Sequence, residues 1–162
     1  MTTDVEFSAT EVREILLKLF PHRKLVLSQF TFFASSGVGS PTGKTFRRGR
    51  RCYVLEDLLP IACVLSLKER GIALKVLGSF PSMIKEKAHS ILYQGDKCWI
   101  AGFGGDVELC NSQTPSGQLV DRFLSSEVPQ QLFWRFNVTS MAEELLQAAM
   151  THEVVTDIAV AA

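Results

Sequence analysis

The sequence predicts an α+β fold: a mostly helical N-terminal half carrying a basic β-turn, then a smaller α+β region with a β-hairpin and a C-terminal helix. Three observations lead there. Apolar residues recur at helical spacing behind recognisable caps in the first half. A cluster of four arginines, Arg47, Arg48, Arg50 and Arg51, surrounds Gly49 immediately before an apolar helix-periodic run. In the second half the period changes to two, the signature of strands. The chain has 162 residues and is 46% hydrophobic, enough to fill the core of one domain or of two small ones.

The first helix is announced locally. Ser8 and Glu11 have capping-box spacing, Phe7 and Val12 have hydrophobic-staple spacing, and Val12, Ile15, Leu16 and Leu19 form one stripe that Pro21 ends. A second helix is expected over residues 28–36, stopped by Gly37. A wing-like hairpin should follow, turning near Pro41-Thr42-Gly43 and returning through Cys52-Tyr53-Val54. The third helix, residues 55–70, places Leu58, Ile61, Ala62, Leu65 and Leu67 in the core and contains Pro60 as a local conflict. A short fourth helix covers 73–77. Ser79-Phe80-Pro81 then interrupts the chain before a helix of about three turns over 82–92. Residues 97–110 read as a hairpin turning at Gly104-Gly105, a register that faces Ile100 with Leu109. Pro115-Ser116-Gly117 is another turn, leading into 118–124. Residues 131–138 alternate as a strand. Ser140 and Glu143 suggest a capping box for a helix over 141–150, and residues 151–162 are expected to be a flexible tail.

The formal net charge of zero conceals an asymmetry. Residues 1–52 hold nine Lys/Arg and four Asp/Glu, whereas 53–162 hold eight and thirteen, so the halves carry +5 and −5. No acidic side chain occurs from Ile15 to Leu55. One end is therefore suited to a polyanion. Gly43-Lys44-Thr45 resembles the end of a phosphate-binding loop. That motif needs four residues before its GK[ST], and neither Gly37 nor Gly39 supplies that spacing. Cys52, Cys63, Cys98 and Cys110 lack C-x-x-C spacing and the three histidines are scattered, so reduced, non-ligand cysteines are expected, with no metal and no cofactor. No catalytic constellation emerges, and the expectation is not an enzyme. Without a leader or an apolar run long enough to span a bilayer, the expected location is cytoplasmic, with no membrane partner.

Residues 6–80 resemble the MerR-type winged helix-turn-helix regulators of bacteria. The resemblance rests on Gly49, Arg51, Tyr53, Asp57, Leu58, Gly71, Ile72, Leu74 and Leu77, which match the family's wing and the helix pair after it. Phe30, Phe32, Phe33, Val38 and Pro41 match the apolar skeleton of the helix before the wing. The resemblance implies a winged helix-turn-helix domain over 6–80 that binds double-stranded DNA and regulates transcription. Its second helix would enter the major groove through Ser28, Gln29 and Thr31. Its wing would hold phosphates through Lys44, Arg47, Arg48, Arg50 and Arg51.

The chain departs from the family in several places. Ser28 stands where an arginine is usual and Thr31 at another commonly basic position, the link before this helix is longer, and the long dimer-forming helix is missing after residue 80. Residues 81–150 are therefore expected to form a dimerisation or sensory region. A homodimer would use residues 82–150, with Leu145, Leu146 and the Trp134 strand as candidates, and a protein partner or small-molecule effector would act there too. The same departures support an alternative: a MerR-like fold serving as a protein- or nucleotide-binding adaptor.

Overall fold

The computed structural model describes residues 5–103, 106–111, 117, 121, 124 and 133–161. Its architecture is α+β, and among the described residues six helices enclose one apolar core, with a two-stranded ribbon and a three-stranded antiparallel sheet at the margins. The N-terminal helix α1, Ala9–Leu19, starts as its local signals dictate. Glu11 N–H donates to Ser8 Oγ at 3.3 Å, and Ser8 N–H donates to Glu11 Oε1 at 3.2 Å. Val12, Ile15 and Leu16 are buried. Helix α2, Leu27–Ser35, buries Phe30 and Phe33, and its chain leaves through Gly37 at φ +73°.

Helix α3, Leu55–Glu69, is the centre of the molecule. Every residue from Asp57 to Leu67 is buried, so the helix is enclosed on all sides rather than on one stripe. Pro60 sits within it without ending it. The helix gives up one backbone bond there and keeps its packing. The single turn α4, Leu74–Leu77, leads to α5, Phe80–Tyr93, which packs chiefly on α3. Pro81 does not interrupt the chain as expected. It is the second residue of α5, where its missing N–H has no intrahelical partner to lose, so the helix is 14 residues long.

The sheet has the order β4-β3-β5, with β3 at Trp99–Phe103, β4 at Asp106–Cys110 and β5 at Phe133–Asn137. Ile100 faces Leu109, the register read from the sequence, and also faces Phe136 across the other edge. Gly102 faces Trp134, whose indole lies where a side chain would stand: a Cβ on residue 102 would meet that ring at 2.3 Å. The Gly104-Gly105 turn, the 115–117 turn, the segment leading from it and the start of the 131–138 strand lie outside the described residues.

The C-terminal helix corrects two expectations. Helix α6 runs from Val138 to Ala161, more than twice the length expected, and the residues assigned to a tail continue it. Nothing in 151–161 breaks a helix, since it contains neither Gly nor Pro. The cap is also not Ser140. Asn137 Oδ1 accepts the Ser140 N–H at 3.1 Å, so the strand residue itself caps the helix. Cys98 stitches the joint: its carbonyl accepts the Val138 N–H at 3.0 Å and its N–H donates to Thr139 Oγ1 at 2.8 Å.

One cluster of buried side chains extends from Phe7 to Ala149, and α6 packs on α1, α3 and α5. The expected boundary near residue 80 marks the end of the family resemblance and is not an edge of this core. Leu145, a candidate for a dimer contact, is fully buried within the monomer. No helix among the described residues is long and apolar enough to cross a membrane.

Asp57 fixes the start of α3. It is completely buried, and its Oδ2 accepts the N–H groups of Val54 and Thr42, both at 2.9 Å. Oδ1 accepts the Thr42 hydroxyl at 2.7 Å and the Lys85 ammonium. Replacing Asp57 with Ala strands two backbone donors and removes a cap. We expect it to cost about 3 kcal/mol of unfolding free energy in a urea titration, with Asn, which keeps one carbonyl acceptor, recovering part of the loss. A loss under about 1 kcal/mol would contradict this account.

Candidate nucleic-acid interface

The wing is shorter and sharper than expected. Strand β1, Phe46–Arg47, pairs with β2, Arg50–Arg51, and the turn consists of Arg48 and Gly49 at φ +53° and +74°. Two positive φ values in a two-residue turn match the twist of a hairpin. The ribbon does not reverse at Pro41-Thr42-Gly43, where the turn was expected. Thr42 is bound to Asp57, and Gly43 is already in the ribbon, its N–H donating to the Cys52 carbonyl at 2.9 Å. A Cβ on residue 43 would stand 2.6 Å from that oxygen, so close backbone approach requires the glycine. The return strand continues to Tyr53, which exchanges two backbone hydrogen bonds with Phe7, at 2.7 and 2.8 Å.

Two carboxylates hold this ribbon from outside. Glu6 accepts the Lys44 N–H at 2.6 Å and the Thr45 N–H at 2.8 Å, one on each oxygen. The bonds from Thr45 and Lys44 hold the Glu6 carboxyl below its ordinary range. The backbone donors of the GKT segment are thus taken by a side chain of the protein itself. Glu11 forms an ion pair with Arg47 across 36 positions of sequence. Its burial acts to raise the carboxyl pKa, but hydrogen bonds from Ser8 and the Arg47 charge outweigh this and hold it low.

The helix and the wing share a groove of about 930 Å³. Leu27, Phe30, Thr31 and Ala34 of α2 line one side, and all four wing arginines and Tyr53 line the other. Ser8, Ala9 and Thr10 close it with the start of α1, whose N-terminal end contributes a positive potential. Among the described residues Arg48 and Arg50 make no ion pair, and the arginines are exposed. Arg51 donates to the Gly43 carbonyl at 2.9 Å and lies over the Phe46 ring, 4.8 Å from its centroid. Tyr53 is buried beside Phe30. Burial and the Asp57 charge push its phenol up, so it remains a neutral hydroxyl.

Of the residues expected to contact DNA, the groove gathers Thr31, Arg47, Arg48, Arg50 and Arg51. It does not gather Ser28, which is exposed on the outer ridge of α2, or Lys44, whose backbone is bound to Glu6. Gln29 is partly committed elsewhere: its Oε1 accepts the Val26 N–H at 2.9 Å and caps the helix. Sequence reasoning missed Glu6 and Glu11 as wing supports. The capping box identified Glu11, but nothing local signals a partner 36 residues away. None of the four cysteines is joined in a disulfide. Burial raises Cys63 and lifts Cys98 to about 11, which keeps both as thiols. Among the described residues no group of His, Cys, Asp and Glu gathers that could hold a metal.

No family model and no curated protein matches the chain.

The lowered carboxyl of Glu11 sets a pH dependence. A group whose folded pKa lies below its ordinary value of 4.5 stabilises the fold above that value, and the contribution disappears as pH falls through the folded pKa. Glu11→Gln should therefore be less stable than the parent at pH 7, and the gap should close on acidification below 4.5. Thermal unfolding of both proteins across that range checks it. A gap that widens with acid would contradict the assignment.

Proposed function

We propose that this protein binds double-stranded DNA, with the wing arginines on backbone phosphates and α2 in the major groove, as a transcriptional regulator resembling the MerR type. The observation that carries this reading is the common groove, in which a helix face and four arginines line the same space. Guanidinium groups bind phosphate bidentately and supply affinity without regard to sequence. The α2 face toward the groove carries no charge, so base edges would meet the Thr31 hydroxyl and apolar side chains there.

The wing arginines have unequal parts. Arg48 and Arg50 are not ion-paired among the described residues, so they meet phosphate without giving up a partner. Arg47 must exchange Glu11 for phosphate. Its pair is half-exposed, and pairs of that kind are worth roughly 0.2–1 kcal/mol, so the exchange is cheap.

A second reading, an adaptor that binds an acidic protein surface, draws on the Phe46–Arg51 stack. Phe46 is 57% exposed, and a cation held over an exposed ring suits a protein partner as well as a nucleic acid. DNA affinity near physiological salt separates the two.

Replacing Arg48 and Arg50 with Ala should weaken binding to all duplex sequences by similar factors. It should also flatten the log–log salt dependence by about two units. Glu11→Gln, which removes the competitor for Arg47, should tighten binding a few-fold at low salt. Two results of a salt-titrated binding assay would sink the DNA reading. One is no duplex binding by the intact protein at low salt. The other is binding whose salt slope survives replacement of all four arginines.

A further inference from the structure

Helix α2 presents three faces. Phe30 and Phe33 are buried, Leu27, Thr31 and Ala34 line the arginine groove, and Ser28, Phe32 and Ser35 form an outward ridge at i, i+4, i+7 spacing. Phe32 is 53% exposed at the middle of that ridge, so packing within the monomer does not account for a ring there. It is not loose, because it rests against Phe33 with centroids 6.1 Å apart. Two of the polar groups around it are already engaged. The Ser35 hydroxyl donates to the Phe32 carbonyl at 3.0 Å, and Gln29 Oε1 caps its own helix.

A ridge with a fixed phenyl ring and few free hydrogen-bonding groups needs an apolar feature on its ligand. In the major groove the thymine C5-methyl is the apolar group presented by base edges. We propose that Phe32 is a specificity-determining residue that packs on thymine methyl groups, so that the preferred duplexes carry thymine beneath the centre of α2. The flanking arginines on the neighbouring face favour nucleic acid as the occupant of this ridge over an apolar protein surface. The proposal rests on the reading that α2 enters the major groove, and it goes beyond that reading by naming the chemical group recognised.

The test uses the full chain. Duplexes retained from a random library define the preferred site, and each thymine in it is then replaced by uracil, which removes the methyl group and leaves the hydrogen-bonding pattern unchanged. For the parent protein, affinity should fall about fourfold for each contacted methyl removed. For Phe32→Ala, the thymine and uracil duplexes should bind equally. Because Phe32 is half-exposed, the variant should unfold at nearly the parent temperature, and its salt slope should be unchanged. Salt-dependent binding with no thymine preference, or an equal uracil penalty in both proteins, overturns the role of Phe32 and leaves the DNA reading standing. A parent protein that retains no duplex at all overturns both.

Discussion

Asp57 is a buried acid whose hydrogen bonds come from three separate parts of the chain: the segment before the wing, the turn after it, and α5. An ionised carboxylate without partners in an interior costs several kcal/mol, so the site is tolerable only because donors surround it. Two of those donors define the wing. Thr42 N–H stands at the start of the ribbon and Val54 N–H just beyond its end, and both point at the same oxygen, Oδ2. One atom therefore ties both legs of the hairpin to the N-terminus of the central helix. Lys85 extends the tie to α5 and supplies the charge that balances it. The groove has a defined width because its two walls are anchored to the same core. Without that anchor the ribbon of two-residue strands would have little to hold it, since an isolated hairpin is at best marginal in water.

Glu6 and Glu11 act on the wing with the opposite balance of energies. Both lie at the surface, where water screens them and each contact contributes little. Their value is in geometry. Glu6 takes two backbone donors that would otherwise face solvent, and Glu11 keeps Arg47 directed across the groove toward α1. A strong ion pair here would lock the arginine away from any anion. A weak one releases it at small cost. The distinction between Asp57 and Glu11 is one of burial, and it separates what holds the fold from what orients an exposed arginine.

What the sequence could disclose follows from the range of each interaction. The α1 cap uses Ser8 and Glu11, three residues apart, and was readable. So was the β3–β4 register, because pairing alternates with period two from Ile100 and Leu109. The core positions Val12, Ile15, Phe30, Phe33, Leu58, Ile61 and Leu65 follow from helical period, and all are buried. The misreadings arise where two local rules competed. Pro-Thr-Gly and Arg-Gly both suit turns, and the contact of Thr42 with Asp57, 15 residues on, decides between them. Pro81 reads equally as a breaker and as a first-turn residue. Asn137 is a strand residue by alternation and a cap by chemistry, and it is both. At the candidate site the arginine cluster stood out in the composition, whereas Thr31 entered only through the family resemblance. The capture of Gln29 by Val26 and of Arg47 by Glu11 was not readable, because a side chain's availability depends on what else lies within reach.

The second half of the chain is not an appendage to this surface. Lys18 on α1 donates to the Ala148 carbonyl of α6 at 3.3 Å. His152, also on α6, is buried edge-on against Phe7 and faces Glu11 and Glu14 from 3.5 and 3.7 Å. Phe7 in turn bonds to Tyr53 on the return leg of the wing, and Glu11 pairs with Arg47. Helix α6 thus touches the two residues that contact the wing from the α1 side. Packed interiors are dense and transmit displacement instead of absorbing it. The contacts run without a break from α6 through Phe7 and Glu11 to the arginine groove. That continuity makes the arginine groove and the C-terminal helix parts of one packed body.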